Sequence, residues 1–304
     1  MSKLFDALLR DKGSIKDLDP LALVGDQSIP TDPLPEPGPV PPAALPPAST
    51  SSNSTAAAQL APALEAPAFR TVHMRLPQNS PVLPFGEDQF GANEQYRVLR
   101  TKLIHHTRQP RMILVSSAGP GDGKSVTAIN LAGALSLSSE TRVLLVDGDF
   151  RRSSICNQLG IPETPGLAEV LEGRSELHDA IAVTEEFLNL FLLPAGKPTD
   201  NPAELLQSSR WSLTAAALRK QFRYVILDSP PIAALADYDL LQSACDGVIV
   251  VVRPDYTSRP ACKRALESVP KDKLLGVALN CVTDWFLGER SGYGYGAGYY
   301  QRSR

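Results

Sequence analysis

An α/β fold with a doubly wound, mostly parallel sheet is what this sequence of 304 residues predicts, and three observations carry it. Short, continuous apolar runs bounded by turn residues alternate with amphipathic helical stretches, as strands buried on both faces and their crossover helices require. A glycine-rich segment ending Gly123-Lys124-Ser125 stands between the first run and the first helical stretch. Two acidic segments follow later runs, and right-handed crossovers bring such strand ends to one edge of a parallel sheet.

The chain divides by composition. Residues 1–19 form a short amphipathic segment in which Leu4, Phe5, Leu8 and Leu9 share one side of a helix; docking to a partner or bilayer and a bland helix without a target both fit it. Residues 20–84 read as a disordered linker, with nine prolines between Pro30 and Pro47 followed by an Ala- and Ser-rich run that lacks the apolar periodicity needed to offset ordering entropy. Residues 85–288 hold the folded domain, long enough for one sizeable core. The last segment, 289–304, is a Gly/Tyr-rich tail.

Within the folded domain the strands are expected at 112–116, 143–146, 188–193, 224–227, 248–252 and 275–279. Helices are expected at 126–137, 203–207, 211–222 and 260–269. A net charge of -3 and a pI near 5.9 leave no global basic field for nucleic acid, so no nucleic-acid partner is expected. The sequence has no run of about 18 apolar residues and no basic-then-apolar leader, so a cytoplasmic chain is expected. Cys156, Cys245, Cys262 and Cys281 show no Cys-x-x-Cys pair, which suits buried thiols better than metal ligands or disulfides.

Chemistry gathers at the strand ends. Ser117-Ala-Gly-Pro-Gly-Asp-Gly-Lys-Ser125 has the strand-before, helix-after setting of a phosphate-binding loop, so the fold is expected to be of P-loop NTPase type. Gly119, Gly121, Asp122, Gly123, Lys124, Ser125 and Val126 are the candidate nucleotide contacts. Lys124 would reach the β- and γ-phosphates and the Ser125 hydroxyl would coordinate Mg2+. Ala118 stands where such loops usually begin with glycine. Asp147-Gly-Asp149 and Asp228-Ser-Pro-Pro231 follow strands of their own. Any one carboxylate at a strand end could cap a helix, but three segments converging on one edge argue for a nucleotide and metal site. Magnesium prefers hydroxyl and carboxylate oxygens, so Ser125, Asp149 and Asp228 are its candidate ligands. Phosphoryl transfer needs positioning, charge neutralisation and a group that orients or deprotonates the acceptor. The candidate catalytic residues are Lys124, Asp147, Asp149 and Asp228, with Asp147 or Asp149 in the last role.

These motifs, together with Leu145-Val-Asp-Gly-Asp-Phe-Arg-Arg152 and Leu193-Pro-Ala-Gly-Lys-Pro-Thr-Asp-Asn-Pro-Ala-Glu-Leu-Leu206, resemble the bacterial tyrosine kinases, P-loop autokinases of capsule and exopolysaccharide systems. The resemblance runs from about Glu94 to the C-terminus. It implies ATP and Mg2+ as cofactors and Tyr293, Tyr295, Tyr299 and Tyr300 as phosphoacceptors, modified between subunits. Gly292, Gly294, Gly296 and Gly298 suit a flexible tail presenting successive hydroxyls. Glu94, Arg97 and Arg100 resemble the family's Glu-x-x-Arg-x-x-Arg assembly motif, which implies a ring-like homo-oligomer; on spacing alone an ordinary ion-pair stripe fits as well. Asn280 resembles a position near the adenine, and a turn-capping Asn is the competing reading. The family further implies a transmembrane co-polymerase-type adaptor or activator that recruits the kinase to the inner face of the plasma membrane, and a protein-tyrosine phosphatase. Gly148 stands where Ala is more usual, and Ser153 where Pro is common.

A partition or division-site ATPase of the same P-loop branch is the rival reading. Such proteins carry a second lysine early in the loop, where this chain has Gly119. An iron–sulfur carrier would need paired C-terminal cysteines, which are absent.

Overall fold

A computed structural model describes residues 69–77, 80, 90–232 and 236–282, all within one unit that begins at Phe69. The strands are β1 (Arg70–Val72), β2 (Met112–Ser117), β3 (Val143–Asp147), β4 (Ala182–Thr184), β5 (Leu190–Leu193), β6 (Tyr224–Asp228), β7 (Gly247–Val252) and β8 (Leu274–Leu279). The helices are α1 (Phe90–Ile104), α2 (Lys124–Ser136), α3 (Ile155–Leu159), α4 (Leu167–Glu172), α5 (Leu177–Ala180), α6 (Pro202–Gln207), α7 (Ser209–Gln221), α8 (Ala236–Ser243) and α9 (Arg259–Ser268).

One sheet contains all eight strands in the order β1-β4-β5-β3-β6-β2-β7-β8. Strands β5, β3, β6, β2, β7 and β8 pair in parallel, which fits the doubly wound expectation. β4 runs antiparallel to β5, and β1 is parallel to β4. The sheet therefore starts earlier than the sequence suggests, because β1 falls inside the stretch read as linker. Its three residues pair along β4, and Phe69 just before it joins Phe191 and Phe222 around the Arg142 guanidinium, 5.4, 4.6 and 5.2 Å from the three ring centroids. The expected strand at 188–193 is the shorter β5.

The central strands are apolar along their length because helices cover both faces. Ile113, Leu114, Leu144, Ile226, Leu227, Val250 and Val251 are fully buried, each worth about 1.5–3 kcal/mol relative to exposure. Helix α2 contains no charged residue beyond Lys124 and is buried almost all round. At the opposite edge Asp246 fixes where β2 begins, accepting from the backbone N–H groups of Arg111 and Met112 at 2.8 Å and from Arg219 Nη1. Burial alone would raise its pKa, but these donors hold it below the ordinary value. The start of β2 sets the height at which the strand releases the glycine-rich loop.

Among the described residues, no helix is long and apolar enough to cross a membrane. The 1–19 segment, nearly all of the expected linker and the tail carrying Tyr293, Tyr295, Tyr299 and Tyr300 lie outside the described residues.

Candidate active site

Three strand ends meet at the carboxyl edge because their registers are matched. Asp147 at the end of β3 lies opposite Asp228 at the end of β6, and Asp228 lies opposite Val115 of β2. Two residues beyond Val115 the chain leaves β2 at Ser117 and turns through Ala118 to Gly123 into α2. Gly123 is the helix N-cap with φ of 92°, a left-handed conformation that favours glycine. A Cβ there would also come within 1.9 Å of Asn280 Nδ2. Asn280, at the exit of β8, donates to the Asp122 carbonyl at 2.9 Å. Its described role is thus to hold the loop's outer turn.

Lys124 opens α2 and points its ammonium between two carboxylates, 3.0 Å from Asp149 Oδ2 and 3.6 Å from Asp228 Oδ2. Its Nζ also lies 3.2 Å from Ser125 Oγ. Burial pulls the Lys124 pKa down, yet the charges of Asp228 and Asp149 outweigh it and the net shift is upward. Lys124 therefore stays an ammonium throughout the physiological range.

Asp228 is fully buried and accepts from the Ser125 hydroxyl at 2.5 Å through Oδ2. Its Oδ1 accepts no hydrogen bond. Burial pushes its pKa up to about 7, against the attraction of Lys124, and the neighbouring Asp147 and Asp149 charges add to the rise. Asp147 is held differently. Its Oδ1 accepts from Asp149 N at 3.1 Å, and its Oδ2 from Ser153 Oγ at 2.9 Å and Ile155 N at 3.3 Å. Burial raises its pKa in spite of these donors. Asp147 thus shapes the loop that carries Asp149, whose own Oδ1 accepts from Arg152 N at 3.0 Å.

The two departures from the family pattern have structural reasons. Gly148 donates its N–H to the Asp228 carbonyl at 2.9 Å, and a Cβ on it would sit 2.8 Å from that same oxygen. Glycine lets the two acidic loops touch. Ser153 supplies the hydroxyl that satisfies Asp147.

The donor set fits magnesium. Ser125 Oγ and the Asp149 and Asp228 carboxylates are hard oxygens grouped around Lys124, and Asp228 Oδ1 is a buried acceptor without a partner. Among the described residues, no three His, Cys, Asp or Glu side chains form a cage sufficient for a metal by themselves. An ion that completes its shell with phosphate oxygens and water needs no such cage.

Glu169 is a residue that motif reading passes over. It is buried on α4 and accepts from Gly166 N at 2.9 Å and Lys197 N at 3.1 Å, which fixes the loop leaving β5 at this edge. On α1, Arg97 stands 3.8 Å from Glu94 on the surface. Arg100 turns inward and donates to Ala134 O of α2 at 3.2 Å. Tyr224 and Tyr238 are buried, whereas Tyr256 is 59% exposed. Cys156, Cys245 and Cys262 are buried, whereas Cys281 is exposed.

A parallel sheet with a glycine-rich loop, an invariantly charged lysine and flanking carboxylates at its carboxyl edge defines a P-loop nucleotide-binding protein. The family profile described as an AAA domain matches residues 110–271. The tyrosine-protein kinase YwqD of Bacillus subtilis is 35% identical over 207 residues, covering 67% of this chain and 85% of YwqD. The tyrosine-protein kinase CpsD of Streptococcus agalactiae is 31% identical over 194 residues, covering 63% of this chain and 84% of CpsD. The kinase domain of the Escherichia coli tyrosine kinase ETK superposes with a TM-score of 0.59 at 25% identity, covering 76% of this chain and 94% of that domain. The chain belongs to the bacterial tyrosine kinases, as its motifs imply, and is an enzyme of that class.

Proposed function

We propose that this kinase transfers the γ-phosphoryl group of ATP to the C-terminal tyrosines of a neighbouring copy. The observation that carries this reading is the convergence of Lys124, Ser125, Asp149 and Asp228 within hydrogen-bonding or ion-pairing distance. Lys124 would neutralise charge on the β- and γ-phosphates, the loop's N–H groups would orient them, and Ser125, Asp149 and Asp228 would hold Mg2+. When bound, the ion supplies further neutralisation of the phosphates. Asp149 is the carboxylate best placed to orient the acceptor phenol and take its proton, since Asp147 is committed to its own loop. The phenol oxygen attacks the γ-phosphorus, the bond to the bridging oxygen breaks, and ADP leaves.

Tyr293, Tyr295, Tyr299 and Tyr300 are the proposed acceptors. Each phosphotyrosine adds roughly -1.5 to -2 charge, so phosphate accumulation would drive docked tails apart. A ring-like oligomer using Glu94 and Arg97 would place each tail beside another site. Regulation of exopolysaccharide or capsule synthesis, recruitment and activation by a transmembrane co-polymerase-type partner, and reversal by a phosphatase complete the proposal.

Wild type, Lys124→Met and a variant with all four tail tyrosines changed to Phe are incubated with ATP and Mg2+ together with the partner, and phosphopeptides are mapped. Mixing Lys124→Met with the active variant whose tail tyrosines are Phe should label the Lys124→Met tail. Label confined to chains with their own intact Lys124 would refute transfer between subunits. Nucleotide binding without any phosphotyrosine would refute the kinase reading of the tail.

A further inference from the structure

The loop between β7 and α9 grips the phosphate-binding loop at two consecutive residues. Asp122 is 1% exposed, and both of its carboxylate oxygens are engaged. Oδ2 accepts from Gly119 N at 2.9 Å, and Oδ1 accepts from the Thr257 hydroxyl. Thr257 is held in turn by its own N–H donating to Arg253 O at 2.9 Å. Next to it, the Tyr256 ring lies against Gly121, where an added Cβ would come within 2.8 Å of Tyr256 Oη. The Arg253 guanidinium covers that ring at 4.9 Å from its centroid.

A carboxylate inside a phosphate-binding loop is an electrostatic liability, because like charges at short range repel strongly in a partly buried site. Here its lone pairs are directed at two donors, one within the loop and one outside it. The Gly119 N–H is used to close the turn, so the curvature of residues 119–122 depends on where Asp122 is held. Thr257 is the outside group that holds it.

We infer that Thr257 is a positioning residue for nucleotide binding: through Asp122 it keeps the Gly119–Asp122 turn in the shape that offers the loop's remaining N–H groups to phosphates, with Tyr256 bracing the same turn at Gly121. The inference rests on nucleotide binding at this loop and not on the identity of the phosphoryl acceptor. Binding is therefore read directly, by titrating the full chain with Mg-ADP in a calorimeter, where the stoichiometry counts folded molecules.

Thr257→Val keeps the shape and removes the hydroxyl, and should weaken Mg-ADP binding about tenfold, the loss expected for one hydrogen bond to a charged group. Thr257→Ser should bind within about twofold of wild type, since it keeps the donor. In steady state the Val variant should raise the KM for ATP while kcat changes much less, as loss of uniform binding does. Because Thr257 acts through Asp122, adding Thr257→Val to Asp122→Asn should cost little beyond Asp122→Asn alone. Wild-type affinity in Thr257→Val, equal loss in the Val and Ser variants, or additive losses with Asp122→Asn would each overturn the inference. A wild-type chain that binds Mg-ADP normally but labels no tyrosine would sink the proposed function and leave this inference standing.

Discussion

Replacing Asp228 with Asn should change how stability depends on pH, and the direction is opposite to that of an ordinary aspartate. In the unfolded chain the carboxyl titrates near 3.8, whereas in the fold burial moves it to about 7. Between those values the native state holds a proton that the unfolded state has released. Stability from this group is therefore full below about pH 4, falls as pH rises towards 7, and is flat above. The slope is about -1.4 kcal/mol per pH unit, and the whole excursion is on the order of 4 kcal/mol. Lys124, shifted upward, changes nothing in this window, because both of its states are charged there. Groups remote from the site cancel in the difference between wild type and Asp228→Asn, which carries the Asp228 carboxyl together with its coupling to Asp147. Urea unfolding in chelator, without nucleotide, should show the variant gaining about 2 kcal/mol relative to wild type between pH 5 and 6.5. The hydrogen bond from Ser125 can persist to the amide oxygen and cancels from the slope. A cation binding at Asp228 needs the ionised form, so Mg-nucleotide affinity of wild type should rise up to about tenfold per pH unit below 7 and then level. Parallel stability curves for the two proteins would show that the buried carboxyl does not retain its proton.

Lys124→Met should abolish phosphotyrosine formation and leave Asp149 and Asp228 without their cation, costing up to about 3 kcal/mol by urea melts, less where Asp228 can protonate. Gly123→Ala, which needs a positive φ and meets Asn280 Nδ2 at 1.9 Å, should lose at least about 1 kcal/mol of stability and most nucleotide affinity; a wild-type titration would refute the close approach. Glu169→Ala strips the acceptor from two backbone N–H groups and should destabilise the domain by about 2–3 kcal/mol in thermal melts. Arg97→Ala should alter sedimentation with little change in melting, whereas Arg100→Ala should lower the melting temperature, losing about 1 kcal/mol of contact with Ala134 O; identical behaviour of the two would contradict their different orientations.

What the sequence reveals and what it hides follow from the same physics. The central strands are legible because burial on both faces demands unbroken apolar runs, and the three motifs are legible because phosphate and metal chemistry needs particular groups at strand ends. Strand direction is not encoded in an apolar run, so the reversal of β4 against β5 has no sequence signal. β1 is three residues long and owes its existence to pairing with β4 and to the ring cluster around Arg142. The Glu94, Arg97, Arg100 spacing puts three charges near one helix face, but α2 packs against that face and takes Arg100 for itself. Tyr256 follows an apolar strand and reads as core, yet it lies on the loop that leaves the sheet, where its ring covers Gly121 instead of filling the interior. Asp147 and Asp149 look equivalent in Asp-Gly-Asp, and only the fold separates them, by spending the oxygens of the first on Asp149 N, Ser153 and Ile155.

That separation explains how three carboxylates can share one buried edge with a single lysine. Ionised together they would repel one another strongly in so little solvent, and Lys124 balances only one charge. Each acid meets the problem in its own way. Asp147 is met by three hydrogen-bond donors, Asp149 by the ammonium at 3.0 Å, and Asp228 by keeping its proton up to about pH 7. The group that keeps its proton below about pH 7 is also the one with an unpartnered oxygen, so it is the one that gains most when a divalent cation arrives. A divalent cation there would displace that proton and so add one net positive charge instead of two, while the phosphates it accompanies would meet Lys124 and the loop's N–H groups. Free nucleotide would bring its negative charge without that exchange, and the same burial that raises the pKa of Asp228 would then oppose its binding.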